Sequence, residues 1–274
     1  MIILLNMIFT LWCTFNAFFW MIFGGIPCLS SAIIIYMFLP KQYLQHYLCY
    51  FMSVYTKILI WSSNTVIEVY GLENIVKRQH YVYTCNHTSY FDIPIMYSIL
   101  PYFTAPICKY SLSYIPIFGW FLKLSGSLLI DRKNTKQCIE TFNNSIESIK
   151  NNNKSILLFP EGTRTYTGEL QPFKIGGFIF AIQTEMPILP IAICGCSEAF
   201  GRNFKLFKKI NRTLPIKIII GKPINTVDLS IVHKYALADK VHNDINILKS
   251  SHKYLRNPVY ISYSFIDCFV PNYV

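Results

Sequence analysis

The stretch Asn86-His87-Thr88-Ser89-Tyr90-Phe91-Asp92-Ile93-Pro94 sets a histidine and an aspartate five positions apart. A pair of these types can act as a general base and the carboxylate that orients it. On one continuous helix a five-residue step turns the two side chains about 140° apart, so a helical pair would not meet. The spacing works only across a bend. With a strand ending near Asn86 and a helix beginning near Ser89, His87 lies in the turn and Asp92 in the first helical turn, where its carboxylate folds back towards the ring. The same residues have a plainer use, because Ser89-x-x-Asp92 has the form of a capping box with Asp in place of the usual Glu.

Three later stretches carry groups of chemical interest. Gly126 to Arg132, GSLLIDR, ends an apolar strand in Asp131 and Arg132. Phe159 to Thr165, FPEGTRT, packs Pro160, Glu161, Gly162, Thr163 and Arg164 into the turn after another. Gly162 permits a tight turn or close ligand approach, and Arg164 offers a planar fork to a phosphate; a solvated turn with a surface arginine is the plain alternative. Met186 to Ile193, MPILPIAI, has no ionisable group, and its prolines shape a strand entry that either lines an apolar tunnel or belongs to the core.

These stretches need elements to hold them. Short β-branched runs at Val66–Tyr70, Tyr81–Cys85, Ala105–Lys109, Ser127–Ile130, Ser155–Phe159, Ile188–Cys194 and Ile216–Ile220 read as strands. Helical segments at Ile93–Leu100, Tyr114–Leu124, Thr135–Asn151, Ile175–Thr184 and Asp228–Ser251 alternate with them. The alternation predicts an α/β fold, a β-sheet flanked by helices. It is preceded by a hydrophobic membrane helix or helical hairpin. Met1 to Pro40 holds no charged side chain, and Ile2 to Phe23 matches the roughly 20 apolar residues that cross a bilayer. Gly24-Gly25-Ile26-Pro27 interrupts the pattern before it resumes at Ala32, leaving either one span with an interfacial piece or a hairpin that dips into one leaflet. Both readings put the later basic residues, from Lys41 on, on the cytoplasmic side. Gln42 to Ser62 reads as an amphipathic helix on the membrane or under the catalytic domain. The division expected is a membrane-anchoring helical segment over 1–62 and an α/β domain over 63–274.

Composition supports a membrane. Hydrophobic residues make up 53% of the chain and charged ones 14%, against about 25% charged in an average soluble domain. With 25 basic and 14 acidic residues the net charge is +11, favouring an anionic partner such as lipid headgroups or phosphorylated substrates. Nucleic acid fits poorly, since the basic residues are dispersed and an apolar N-terminus has no use there. The nine cysteines lack C-x-x-C spacing, and the one close pair, Cys194 and Cys196, has no histidine nearby, so they read as buried thiols, and no metal site is expected.

Taken together and in order, the four blocks resemble those of the glycerolipid acyltransferase family, specifically the lysophosphatidate acyltransferases. Asn86-His87-x-Ser89-x-x-Asp92 is similar to the family's first block, Gly126 to Arg132 to its second, Phe159 to Arg164 to its third and Pro187 to Pro190 to its fourth. ICKYSLSYIPIFGWFLKLSG, Ile107 to Gly126, and FKIGGFIFA, Phe173 to Ala181, resemble the segments beside them. The likeness covers roughly Val66 to Pro223 and leaves the last fifty residues unmatched.

The resemblance implies transfer of a fatty acyl group from a thioester, acyl-CoA or acyl-carrier protein, to the free hydroxyl of lysophosphatidate, giving phosphatidate. A hydroxyl is a poor nucleophile and needs a base, for which histidine, with an ordinary pKa of about 6.5, is suited. His87 takes that role and Asp92 holds its tautomer. No acyl-enzyme and no cofactor are implied, and the chain has no G-x-S-x-G elbow. Lys109 and Arg164 are assigned to the acceptor phosphate, with Arg132 a further candidate for that phosphate or for the donor's phosphopantetheine phosphate, and Gly162 and Thr163 completing the substrate turn. Glu161 is expected to order that turn by pairing with an arginine. Backbone N–H groups of the His87 turn or the Gly126 block would serve the oxyanion. Lysophosphatidate resides in the bilayer, so the N-terminal segment and the basic run Lys205 to Arg212 would seat the site on an anionic surface. A related enzyme acting on glycerol 3-phosphate or another lysophospholipid, and a lipid-binding membrane protein without turnover, are the alternatives.

Overall fold

The computed structural model describes residues 2–101, 103–131, 135–165, 167–201, 215–251 and 255–270. Arg132 and the run Lys205 to Arg212 lie outside them. Among the described residues eight strands form one sheet: β1 (Ile67–Tyr70), β2 (Val82–Cys85), β3 (Thr104–Lys109), β4 (Leu128–Ile130), β5 (Ser155–Leu158), β6 (Ile188–Cys194), β7 (Ile216–Ile220) and β8 (Val259–Ile261). Their order is β4-β3-β5-β2-β6-β7-β1-β8. Neighbours from β4 to β6 are parallel, and β7 reverses against β6. Parallel neighbours require crossovers. These carry α4 (Asp92–Ile99), α5 (Phe118–Leu124), α6 (Thr135–Asn151) and α7 (Gly176–Thr184), with α8 (Cys196–Phe200) after β6 and α9 (Lys234–Ser251) after β7. The carboxyl ends of β4, β3, β5 and β2 therefore share one edge, the usual place for a ligand site in such sheets.

Sheet sidedness follows the two-residue period of a strand. Tyr81, Tyr83 and Cys85 face a core shared with α4 and with α3 (Lys41–Ser62), whereas Val82 faces the core under α6, α7 and α9. Burial on both faces explains why these strands read as near-continuous apolar runs. β6 is buried along almost its whole length. MPILPIAI is thus core, not tunnel wall, and its Pro190 carbonyl accepts the Gly221 N–H. The strand β8 went unassigned in the sequence reading, because three residues are too few for a visible alternation. The predicted helix from Tyr114 is a 3₁₀ turn over Tyr110–Tyr114, and α5 begins only after Pro116.

At the N-terminus α1 (Ile2–Phe23) and α2 (Gly25–Phe38) meet at Gly24, which keeps helical angles (φ −91°, ψ −42°). Pro27 falls in the first turn of α2, where a missing N–H is tolerated. The Gly24–Pro27 interruption is a junction within one rod, and the returning arm is α3. Cys13 lies at Ser62, Ala17 at Tyr55 and Ser31 at Tyr47, so α3 runs antiparallel to the rod. Residues 7–38 remain a helix long and apolar enough to cross a membrane.

Both faces of α3 are buried, including polar Gln45, Ser53, Thr56 and Lys57. One reason is Lys154, buried just before β5. Its Nζ donates to Gln45 Oε1 at 2.8 Å and to the Ser125 carbonyl at 3.1 Å, over the Phe103 ring. Burial pushes this amine below its ordinary range. Lys154→Met leaves two buried acceptors unpaired and is expected to cost about 1–3 kcal/mol at neutral pH. A lowered amine pKa disfavours the folded state below that pKa, and this cost disappears as pH rises towards about 10.4. Thermal melts should therefore show wild type gaining on Lys154→Met between neutral pH and pH ~10.

Candidate active site

His87 leaves the carboxyl end of β2 in a turn held on three sides. Its Nδ1 lies 2.9 Å from Asp92 Oδ2, and Asp92 is wholly buried at the start of α4. The same oxygen accepts the N–H groups of Thr88 at 2.6 Å and Ser89 at 2.8 Å. One carboxylate oxygen thus both shapes the turn and fixes the ring. The capping and pairing readings of Ser89-x-x-Asp92 are compatible: Asp92 receives the Ser89 N–H, while Ser89 Oγ accepts from Phe91 and donates to the Gly201 carbonyl. Behind the carboxylate sits the Cys196 thiol, which burial and the nearby Asp92 hold well above the thiol range and so protonated.

With Nδ1 given to Asp92, the bond selects the tautomer in which Nε2 carries no proton. The side chain is 14% exposed, and the Phe159 ring stacks on the imidazole at 4.3 Å. Asn86, one residue earlier, extends the sheet through its side chain: Nδ2 donates to the Ile193 carbonyl and Oδ1 accepts the Ile193 N–H. Its role in fixing the turn escaped the sequence reading, since its partner is 107 residues away.

The turn after β5 closes over the first. Glu161 is buried, and its two oxygens accept the N–H of His87 at 2.7 Å and of Gln171 at 3.0 Å. The expected arginine partner is therefore replaced by two backbone donors. Burial raises this carboxyl above its ordinary range, opposed by the same two hydrogen bonds. Thr165 N–H adds a bond to the His87 carbonyl at 3.0 Å. Gly162 takes φ +70°, a conformation other residues rarely adopt, so glycine suits the turn, and the Lys174 side chain crosses close to it. Thr163 is exposed. Arg164 lays its guanidinium over Tyr90, with Cζ 3.5 Å from the ring centroid. Tyr90 lies three residues after His87 in the same turn, so the arginine is tied to that turn through the Tyr90 ring.

Lys109 is exposed at the carboxyl end of β3. β3 and β2 flank β5, so the lysine strand lies roughly 10 Å from the histidine strand at ordinary spacing. Asp131 follows β4 on the same edge. The oxyanion expectation changes more. The N–H groups of His87, Thr88 and Ser89 are committed to Glu161 and Asp92. Gly126 itself precedes β4 beside Lys154, at the amino ends of the strands and away from His87, whereas the other end of its block, Ile130 and Asp131, reaches the carboxyl edge.

A cavity of about 580 Å³ adjoins this edge, lined by Ile107 and Leu158 of the sheet, Phe159 and Gly162 of the turn after β5, and Phe142 and Phe180 of α6 and α7. Most of its lining is apolar, and its volume is within the ordinary size range of ligand pockets. Phe159 borders both the cavity and the imidazole.

Comparison with known proteins converges on the same region. Residues 66–194 match the family model described as Acyltransferase. A 1-acyl-sn-glycerol-3-phosphate acyltransferase of Saccharomyces cerevisiae is 36% identical over 181 residues, covering 65% of this chain and 58% of that protein. One from Cocos nucifera is 34% identical, covering 63% and 54%, and the alpha enzyme of Mus musculus is 30% identical, covering 65% and 62%. The matched segment thus spans between about half and two thirds of these relatives' length. The crystal structure of the 1-acyl-sn-glycerophosphate (LPA) acyltransferase PlsC from Thermotoga maritima superposes with a TM-score of 0.75 over 94% of this chain and 100% of that one. At 22% identity that likeness speaks for the fold. The matched residues hold the His87 turn, the Glu161 turn and the five parallel strands that carry them, and it is in these parts that the chain is similar to the acyltransferases.

Proposed function

We propose that the chain is a 1-acylglycerol-3-phosphate O-acyltransferase, moving an acyl group from acyl-CoA or acyl-carrier protein to the free hydroxyl of lysophosphatidate to form phosphatidate. The observation that carries the reading is the 2.9 Å contact of His87 Nδ1 with buried Asp92, which leaves Nε2 to act as base. The names of the relatives point to the same acceptor. The hydroxyl oxygen attacks the thioester carbonyl carbon as Nε2 takes its proton, and the tetrahedral intermediate then expels the thiolate. The imidazolium returns the proton to the sulfur, so His87 ends as it began and no covalent enzyme intermediate is needed. Asp92 stabilises the imidazolium in between.

In this reading Arg164, Lys109 and Arg132 receive the acceptor phosphate, Gly162 and Thr163 shape the turn beside it, and the cavity under α6 and α7 takes an acyl chain. The donor is a substrate, and no cofactor takes part. Residues 1–62 anchor a transferase domain of residues 63–274 to the membrane, with the site on the cytoplasmic face. The apolar rod of α1 and α2 and the absence of charge before Lys41 support that attachment.

The test is acyl transfer by the purified full chain in lipid vesicles to lysophosphatidate, glycerol 3-phosphate and a neutral lysolipid, with both donors. Lysophosphatidate is the expected preference. Faster transfer to an acceptor without phosphate overturns the substrate, and no transfer to any acceptor overturns the activity. Tyr90 offers a finer check. A cation–π contact at an exposed site is worth about 0.5–1 kcal/mol, so Tyr90→Leu should raise KM for lysophosphatidate roughly two- to fivefold with kcat retained, and Tyr90→Phe should restore it.

A further inference from the structure

We propose that residues 259–270 form a strap that fastens the N-terminal helices to the sheet and enters the lipid interface beside them, making a second membrane contact at the C-terminal end. The proposal rests on the reading that α1 and α2 lie in a membrane. β8 first joins the sheet edge antiparallel to β1, pairing Ile67 with Ile261 and Val69 with Val259. The Tyr263 hydroxyl then donates to the Ser98 carbonyl in α4. Asp267 Oδ2 accepts the Ser264 N–H while Ser264 Oγ accepts the Asp267 N–H, which starts a 3₁₀ turn over Asp267–Phe269.

That turn lies along α3. Cys268 is wholly buried against Val54 and Ile58, and the Tyr50 hydroxyl donates to the Phe269 carbonyl at 2.7 Å. Lys57, buried on α3, points its ammonium at the Val270 carbonyl and over the Tyr263 ring at 5.6 Å. A buried ammonium needs such acceptors, and the strap supplies them. The C-terminal segment is thus built into the helix layer.

Its other face is apolar and open. Ile266 is 77% exposed and Phe269 46%, where a folded chain has no internal reason to present them. What covers them is indicated by continuity. Rings follow one another from Phe15 to Phe19 to Trp20 along α1, from Trp20 to Phe265 at 5.7 Å, and from Phe265 to Trp61 at 5.3 Å and Phe269 at 5.4 Å. The outward side chains of α1, among them Phe15 and Phe18, are themselves exposed. The strap therefore prolongs the surface that the apolar rod gives to lipid, and it does so with the aromatic residues that settle at membrane interfaces. A continuous apolar patch of this kind marks an interaction surface, and the net charge of +11 favours an anionic bilayer as its occupant.

The experiment uses the full chain on vesicles of phosphatidylcholine and phosphatidylglycerol, with and without brominated acyl chains. Ile266→Asp should weaken vesicle partitioning at least tenfold while leaving the melting curve of the protein unchanged. Ile266→Trp should bind as wild type does, and the emission it adds to that of the four native tryptophans should be quenched by the brominated lipid. Unquenched added emission, or unchanged partitioning of Ile266→Asp, overturns the strap while leaving the helical anchor standing if Phe15→Asp with Phe18→Asp releases the protein. Failure of the wild-type chain to bind vesicles overturns the membrane reading and the strap with it.

Discussion

His87→Ala is expected to lower kcat for acyl transfer to lysophosphatidate by about 10²- to 10⁴-fold, the ordinary worth of a positioned general base, with little change in KM. The substituted position lies in a turn whose backbone is held by Glu161, Thr165 and Asp92, so the turn should keep its shape without the imidazole. Asp92 offers a sharper pair of variants. In Asp92→Asn the amide oxygen can occupy the place of Oδ2 and still accept from His87 Nδ1, Thr88 and Ser89. Tautomer and turn then survive, and only the charge opposite the imidazolium is lost. Asp92→Ala strands two buried N–H groups as well and should add a loss of stability of about 1–3 kcal/mol for each. Single-turnover kinetics with a melting curve for each variant separates the two effects. Full activity in His87→Ala would sink the base assignment, and equal melting temperatures for Asp92→Asn and Asp92→Ala would sink the double role given to the carboxylate.

That dyad was legible because it is local. A turn followed by a helix is enough to bring positions 87 and 92 together, and both halves have composition signals, a β-branched run before Asn86 and a serine ahead of Asp92. The central strands were legible for a related reason: β2, β3, β5 and β6 are buried on both faces, so each shows as a short apolar run between turn residues. What stayed hidden depends on partners far away in the chain. Glu161 was expected to pair with an arginine because residue types suggest ion pairs, yet its partners are N–H groups of His87 and Gln171, which no side-chain pattern announces. Gln45 belongs to the polar side of α3 by periodicity, and it is buried because Lys154 arrives from the start of β5 to meet it. The Gly24–Pro27 break was read from residues that disfavour helix interiors, but Pro27 sits in a first turn, where its missing N–H costs little. β8 is three residues long, and its register is set by β1 from nearly two hundred residues upstream.

Arg164→Ala is expected to raise KM for lysophosphatidate by about 10- to 100-fold, since hydrogen bonds to a charged group are worth about 1.5–3 kcal/mol and each 1.4 kcal/mol is a factor of ten. The magnitude depends on pre-organisation. The guanidinium rests on Tyr90, and the loop that bears it is bonded to the His87 backbone through Glu161 on one side and Thr165 on the other. Base and arginine are therefore parts of one braced unit, and a phosphate on the fork brings the glycerol hydroxyl to a set distance from Nε2. Arg164→Lys retains the charge but neither the planar stack on Tyr90 nor the two-pronged contact with phosphate, so it should recover only part of the loss. The control is an acceptor without phosphate. Its slow transfer should be almost indifferent to Arg164→Ala, because the arginine acts on the phosphate and not on the reacting carbonyl. An equal loss with both acceptors would move Arg164 from phosphate recognition to support of the His87 turn, where the Glu161 and Thr165 bonds already stand.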